Sequence, residues 1–159
     1  QVFGRFPMAK ITVSKLVRAP KEKVVEYFAT PHLYFKVHEK YYKWFEILKE
    51  ENNVAYVDEV WEIGGRLSRF THKIVVNLPH NIEMEIIAGD GKGSKEVISF
   101  EEEGNQTEVT YHSDFKLGGI TGVLIGWLVS SQMKKMMEEM ADEDRRFIER
   151  NGYLHESIA

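Results

Sequence analysis

Glu59 and His72, in the middle of the chain, have the residue types and spacing of a proton-transfer pair. Gly64 and Gly65 between them predict a tight hairpin. If the turn closes there, opposed positions sum to about 129, and Glu59 lies nearly diagonal to His72 on one face. A carboxylate and an imidazole within hydrogen-bond reach can move protons in a cyclisation, dehydration or enolisation. The alternatives are that the pair fixes the polar end of a ligand, or that its members satisfy each other structurally.

The same register indicates which face of the hairpin points inward. It brings Asp58 on the first strand next to Arg69 and Lys73 on the second, the opposite-charge pairing that stabilises an exposed face. Glu59 and His72 then lie on the inner face, and continued alternation places Ser68, Glu96 and Ser113 there too. Ionisable groups in a packed core are costly, so these favour a sheet curved around a cavity. The alternatives are a register slip of one residue or a strand end that reaches solvent.

Periodicity and turn residues predict a strand, two helices, six strands and one long helix. The expected ranges are 10–17 for the first strand, 19–30 and 32–39 for the helices, 42–49, 55–63, 67–78, 82–88, 95–100 and 107–115 for the later strands, and 119–150 for the long helix. Sequential antiparallel strands with helices on one face make an α+β domain. We expect a single domain over residues 8–152 and a tail at 153–159. Residues 1–7 precede Met8 without periodicity and are interpreted as an artificial extension.

Composition excludes several classes of function. A formal net charge of -4 over 159 residues gives no general attraction for nucleic acid, so none is expected as a partner. The chain has no cysteine, which removes disulfide and thiolate chemistry and fits a reducing, cytoplasmic setting. The six histidines lack the spacing of a zinc site, so we expect no metal and no cofactor. The glycine-rich 89–93 loop joins two strands and opens no helix, which argues against a phosphate loop.

The most apolar part of the chain lies at 117–132 and contains no charged residue. At about 16 residues it is shorter than the roughly 20 that a membrane-spanning helix needs. It is better interpreted as the inward-facing start of the long helix, with Gly122 and Gly126 as positions where that helix could open. The 89–93 loop is a second candidate gate. The methionines that follow the apolar 117–132 segment, at 133, 136, 137 and 140, are typical of residues that fill a core, with ligand contact as the alternative.

Beyond this physical pattern, the chain resembles the START-like superfamily, the helix-grip fold of polyketide cyclases, coenzyme Q-binding proteins and the major birch-pollen allergen. The best local match is a strand followed by Ala19-Pro20, a helix with Tyr27-Phe28 near its end, a break at Thr30-Pro31 and an aromatic strand at Trp44. The resemblance implies a strongly curved sheet of about seven strands around the long C-terminal helix, with an apolar cavity between them. It carries over no catalytic residue.

The resemblance also implies a ligand, because such proteins bind lipids, sterols, polyketides, quinones or plant hormones, and a minority are cyclases or dehydratases. Our leading hypothesis is therefore binding of a small apolar molecule for transport, sequestration or presentation, with possible transient contact with a membrane. The alternatives are a cyclase or dehydratase that uses Glu59 and His72, and an interaction module without a ligand. Glu59 and His72 would form the polar anchor of the cavity. The predicted lining is Trp61, Phe70, His72, Met84, Ile98, Phe100, Tyr111, Val123 and Trp127.

Overall fold

The structure is a computed structural model that describes residues 8–63, 65–116 and 122–151, with side chains described except at 8, 63, 66, 122–130 and 151. Seven strands and three helices follow each other in the predicted order. They are β1 Met8–Val17, α1 Lys21–Phe28, α2 Pro31–Val37, β2 Tyr42–Glu51, β3 Val54–Ile63, β4 Arg66–Asn77, β5 Asn81–Gly89, β6 Lys95–Glu103, β7 Gln106–Lys116 and α3 Gly122–Asn151.

The strands form one antiparallel sheet with the order β1-β7-β6-β5-β4-β3-β2. Strands β2 to β7 form a meander in which each strand pairs with the next. The last strand, β7, pairs with β1 along the whole length of β1. The predicted β3–β4 register is confirmed, because Asp58 lies opposite Thr71 and Glu59 opposite Phe70. On the outer face, Arg69 Nη2 lies 3.4 Å from Asp58 Oδ2, as the charge pattern predicts.

Register shifts interrupt the β2–β3 and β4–β5 ladders. Strand β2 shifts register between Tyr42 and Trp44 and again between Ile47 and Lys49. The β4–β5 ladder shifts between Thr71 and His72, so that Ile87 is the extra residue. A bulge increases local twist and changes the direction of the neighbouring side chains. The last of these three lies directly beside His72.

Each short helix has a proline at its start, where a fixed φ angle and a missing N–H are tolerated. Pro20 precedes α1, whose inner face buries Val24, Val25, Tyr27 and Phe28. Pro31 opens α2, which follows α1 after only two residues.

Helix α3 packs against β1 and against both short helices. Its buried side recurs every three or four residues, the spacing of one helical face. That stripe consists of Met133, Met137, Met140, Ala141, Asp144 and Ile148. Met140 packs with side chains from β2 to β4, and most other members of the stripe pack with side chains from β1, β5, β6 and β7. The sheet therefore wraps around α3, which confirms the predicted helix-grip arrangement. Among the helices as described, none has the length and apolarity needed to cross a membrane.

Candidate functional site

A cavity of about 480 Å³ lies between the α1–α2 junction and strands β2 to β6. Its outer end is bordered by exposed residues of two turns, Asn52 and Asn53 after β2 and Leu78 after β4. Its inner end is bordered by buried residues, including Phe35, Tyr42, Glu59 and Ile98. The cavity therefore opens beside the β2–β3 and β4–β5 turns and ends deep inside the fold.

Glu59 is the carboxylate at the inner end, and its side chain is only 1% exposed. Trp61 Nε1 donates a 2.8 Å hydrogen bond to Glu59 Oε2. Nδ1 of His72 lies 3.1 Å from the same oxygen. Alternation along β3 places Glu59 and Trp61 on one face, and the β3–β4 register brings His72 beside them. The expected hydrogen-bond reach between Glu59 and His72 is therefore present.

The environment of His72 favours its protonated form. Burial lowers the pKa of the imidazole, but the charge of Glu59, the hydrogen bond to it and the charge of Glu96 together raise that pKa above its ordinary value. His72 and Glu59 thus form a close contact with little exposure to water, since their side chains are 15% and 1% exposed.

Glu96 is a second inward carboxyl, and Ser113 Oγ donates a 2.9 Å hydrogen bond to its Oε2. Its pKa is raised chiefly because it is withdrawn from water; Ser113 and His72 lower it in part, and Asp144 and Glu59 raise it further. The sequence prediction that Glu96 lies on the inner face opposite Ser113 is confirmed.

Two tyrosines, Tyr34 and Tyr42, also border the cavity. Burial raises the pKa of both hydroxyls well above the ordinary value, and nearby carboxylates, Asp144 for Tyr34 and Glu59 for Tyr42, add to the shift. Both hydroxyls therefore stay protonated at any physiological pH, and a hydrogen bond between the two side chains lowers the pKa of Tyr34 only in part.

A second buried polar cluster lies behind Tyr34 and was not found from the sequence. Nε2 of His38 is 2.5 Å from Asp144 Oδ1, and its Nδ1 is 3.1 Å from Glu143 Oε2. Tyr27 donates a hydrogen bond to Asp144 Oδ1, and Tyr111 donates one of 2.7 Å to Oδ2. The one available signal was Asp144 itself, an acid placed within the apolar stripe of α3.

The predicted lining residues occupy different positions around this cavity. Met84 and Ile98 border it, together with Glu59. Trp61 and Phe70 are not part of the described wall but lie next to it. The Trp61 ring packs on the wall residue Tyr42 with centroids 4.4 Å apart, and Phe70 packs on Trp61 at 5.9 Å. His72, Phe100 and Tyr111 are absent from the described wall. The side chains of Val123 and Trp127 lie outside the described residues. Contact of any of these with a ligand stays a prediction.

Helix α2 and strand β2 supply lining residues that the sequence analysis did not identify. Pro31, Tyr34 and Phe35 lie on one face of α2, at the i, i+3 and i+4 positions, and all three border the cavity. That spacing was the signal that could have identified them. The 89–93 loop contributes no residue to the described wall. The other candidate gate, at Gly122 and Gly126, lies at the start of α3, where side chains are not described.

The polar residues do not assemble into a metal centre within the described ranges. No group of three or more His, Asp or Glu side chains there is arranged to hold an ion. The carboxyl groups of Glu59 and Glu96 instead form hydrogen-bond contacts with Trp61, His72 and Ser113.

A curved sheet wrapped around a long helix, with a partly apolar cavity closed by two short helices, defines the helix-grip class of α+β protein. The sequence profile of the family described as polyketide cyclase/dehydrase and lipid transport matches residues 8–144. The chain therefore belongs to this family, within the START-like superfamily.

Solved structures share the fold at low sequence identity. An aromatase/cyclase from Streptomyces sp. R1128 superposes with a TM-score of 0.70 at 14% identity, covering 92% of this chain and 94% of its own. A START superfamily protein from Mycobacterium smegmatis gives 0.71 at 18% identity, covering 89% and 97%. A protein from Thermus thermophilus gives 0.72 at 17% identity, covering 92% and 98%. No curated protein matches the chain significantly. At such identities the likeness is one of fold.

Proposed function

We propose that the protein binds a small, mainly apolar molecule in the cavity and transports, sequesters or presents it. Candidate ligands are a lipid, an isoprenoid, a quinone or a polyketide-like compound. The observation that carries the proposal is the cavity itself, whose volume of about 480 Å³ lies within the range typical of small-molecule sites. Its wall is mostly apolar and aromatic, with a few polar groups at the inner end, as such sites usually are.

The energetics of packing support this proposal. Protein interiors are normally close-packed, and unfilled space lowers stability because the surrounding atoms lose contacts. Aromatic side chains from α1, α2 and β2 approach this space without closing it: Phe28, Tyr34, Phe35 and Tyr42. Binding of an apolar molecule accounts for keeping it open.

A cavity-filling variant tests the proposal directly. Ala55 is 7% exposed and borders the cavity, so Ala55→Phe should fill part of it. Ala88→Phe introduces the same ring at an exposed position in β5 and is the matched control. We expect the wild type and Ala88→Phe to bind the neutral dye Nile red, and Ala55→Phe to bind it at least tenfold more weakly. Native mass spectrometry should also detect a co-purifying apolar compound. Equal dye binding by all three, or no binding by any, would contradict the proposal.

A cyclase or dehydratase activity is the second candidate, favoured by the 3.1 Å contact between Glu59 and His72. A general base and acid must lie within hydrogen-bond reach of the group they serve, and Glu59 borders the cavity. The relative from Streptomyces sp. R1128 is named an aromatase/cyclase. If this chain acts similarly on poly-β-ketone analogues, Glu59→Gln and His72→Asn should each abolish turnover while Nile red still binds. Unchanged turnover in both variants would remove the acid–base role.

A further inference from the structure

The charges around the cavity have one sign. Among the described residues of its wall, the carboxyl side chains are Glu50 near the mouth and Glu59 at the inner end, and no lysine, arginine or histidine is present. The 117–130 segment, whose side chains are not described, contains no charged residue in its sequence. A ligand that enters the cavity therefore contacts a carboxylate at each end, whereas the nearest basic group at the inner end, His72, lies behind Glu59 and outside the described wall.

The inner carboxylate of Glu59 borders the cavity on one side and contacts His72 on the other. Trp61 and His72 both engage Glu59 Oε2, and the wall contains Glu59 but neither of these two residues. Within the described residues, neither hydrogen bond of Glu59 goes to Oε1. A carboxylate has about four acceptor sites on its two oxygens, so Glu59 keeps acceptor capacity for a donor group on a ligand.

The neighbouring tyrosines complement this acceptor. Tyr34 and Tyr42 border the same inner end, and their hydroxyls remain protonated. An alcohol or phenol can donate to Glu59 and accept from a tyrosine hydroxyl at the same time. A protonated amine can donate to Glu59 with charge assistance. A carboxylate has no proton to donate, and it would be buried beside a like charge, which is unfavourable where little water is present.

The length of the cavity indicates how long a hydrocarbon chain the polar end of a ligand can carry. Along β3, Glu59 and Val54 at the mouth are five residues apart, which corresponds to about 17 Å in an extended strand. Beside this span the wall includes Ile74 and Met84, and Val76 and Ile82 lie level with its mouth; all four side chains are apolar. An extended hydrocarbon chain of that length fits with its polar end innermost.

We infer that the cavity selects an elongated amphiphile whose polar end is a hydrogen-bond donor, a hydroxyl or a protonated amine, held by Glu59, and that it discriminates against the carboxylate of the same chain length. This rests on the proposed function and narrows the class of ligand for the same site. The discrimination comes from the placement of Glu59 between His72 and the cavity.

Three ligands with one chain test this inference: dodecan-1-ol, dodecylamine and dodecanoate, each used to displace Nile red below its aggregation concentration. For the wild type we expect the alcohol and the amine to displace the dye at concentrations at least tenfold lower than dodecanoate. Glu59→Gln keeps the shape and removes the charge, so the amine should weaken at least tenfold and dodecanoate should strengthen. Glu83→Gln removes an acid from an exposed position in β5 and should leave the order unchanged.

The outcomes separate this inference from the proposal beneath it. If dodecanoate displaces the dye as well as the alcohol does, or if Glu59→Gln keeps the wild-type order, the donor selectivity is wrong while ligand binding stands. If the dye does not bind at all, the proposed function fails and the inference fails with it. The order in which the three ligands displace the dye from the wild type tests donor selectivity without any variant. The inference can therefore be contradicted even if Glu59→Gln does not fold.

Discussion

Nε2 of His38 lies 2.5 Å from Oδ1 of Asp144, and both side chains are almost completely excluded from solvent. His38 directly follows α2, and Asp144 belongs to the buried stripe of α3. The same carboxylate accepts hydrogen bonds from Tyr27 of α1 and Tyr111 of β7. One acid therefore ties four parts of the fold together. Tyr34 lies against the His38 ring, with centroids 4.6 Å apart, and connects this cluster to the cavity.

Removing Asp144 should be strongly destabilising. Asp144→Ala leaves a buried imidazole and two buried hydroxyls without their shared acceptor, and breaking a buried pair in this way typically costs about 3–5 kcal/mol. Asp142→Ala is the matched control, because Asp142 lies on the same helix with a side chain that is 40% exposed and pairs with Lys15 at 3.2 Å. An exposed pair contributes at most about 1 kcal/mol. Urea denaturation followed by circular dichroism measures both, and equal losses would contradict a structural role for the buried cluster.

Stability should fall as the pH rises above neutrality, in part because of His38. Burial lowers the pKa of this imidazole, but the Asp144 charge and hydrogen bond and the contacts with Glu143 outweigh that effect and raise the pKa above 6.5. A group with a raised pKa in the folded state contributes stability that is fully present below its unfolded pKa and is lost as the pH rises through the folded value. The window therefore begins near pH 6.5 and extends upward.

The measurement compares the free energy of unfolding of the wild type and His38→Gln at intervals above pH 6. The groups that face His38 are Asp144 and Glu143 from α3 and Tyr34 from α2. His72 and Glu96 are present in both proteins, so their titration cancels in the difference. The advantage of the wild type should shrink with rising pH. A difference that grows or stays constant would show that His38 is not charged in the folded protein.

The β3–β4 hairpin could be predicted because its information is local. In the sequence, Gly64 and Gly65 predict the turn, and the alternation of polar and apolar residues predicts which face points inward. Together these two signals predict that Glu59 lies beside His72. The buried partner of His38 could not be found in this way, since it is 106 residues away along the chain. Only the return of α3 across the sheet brings Asp144 to it.

Strand β2 shows a second limit. Its bulges break the period of two, so Tyr42 is buried while Trp44 is 42% exposed and lies against Arg69 at 5.6 Å. Sequence alternation alone does not reveal where a bulge occurs. The same difficulty affected the cavity wall, because the contribution of Tyr34 and Tyr42 depends on how α2 and β2 meet. The inner strand positions Met84 and Ile98, which follow simple alternation, were predicted and do border the cavity.

Two glycines at strand ends should respond differently to alanine. Both Gly89 and Gly104 have positive φ angles, 85° and 64°, which disfavour any side chain. A Cβ at Gly89 would lie 2.4 Å from the Arg69 carbonyl oxygen and 2.8 Å from Phe70 Cα, both rigid backbone atoms, whereas a Cβ at Gly104 meets nothing within 4 Å. Gly104→Ala should therefore cost about 1–2 kcal/mol from backbone conformation alone.

Gly89→Ala should cost clearly more, because β4 must move away from β5 beside the bulge next to His72. Urea denaturation of the two variants under the same conditions gives the comparison. Equal costs would mean that the close approach of β5 to Arg69 relaxes without consequence.

Glu59 and His72 should prove to be energetically coupled. His72→Gln leaves the Glu59 carboxylate, 1% exposed, with only the Trp61 hydrogen bond, whereas the same change in a Glu59→Gln background leaves no charge to compensate. The loss caused by His72→Gln should be about 1–3 kcal/mol larger when residue 59 is Glu, which lies within the range found for contacting residues in one network. Unfolding free energies of the wild type, both single variants and the double variant give this coupling directly.

The Asp58–Arg69 pair provides the control cycle, because it lies on the outer face of the same two strands and its Arg side chain is 69% exposed. Solvent screens that pair, so its coupling should stay below about 1 kcal/mol. Similar values in the two cycles would mean that Glu59 and His72 are hydrated in solution. Donor selectivity through Glu59 would then lose its physical basis, because water could replace His72 as a partner and soften the repulsion of an incoming anion. A large coupling at Glu59 and a small one at Asp58 is the result expected of a carboxylate that is held by its imidazole on one side and offered to a ligand on the other.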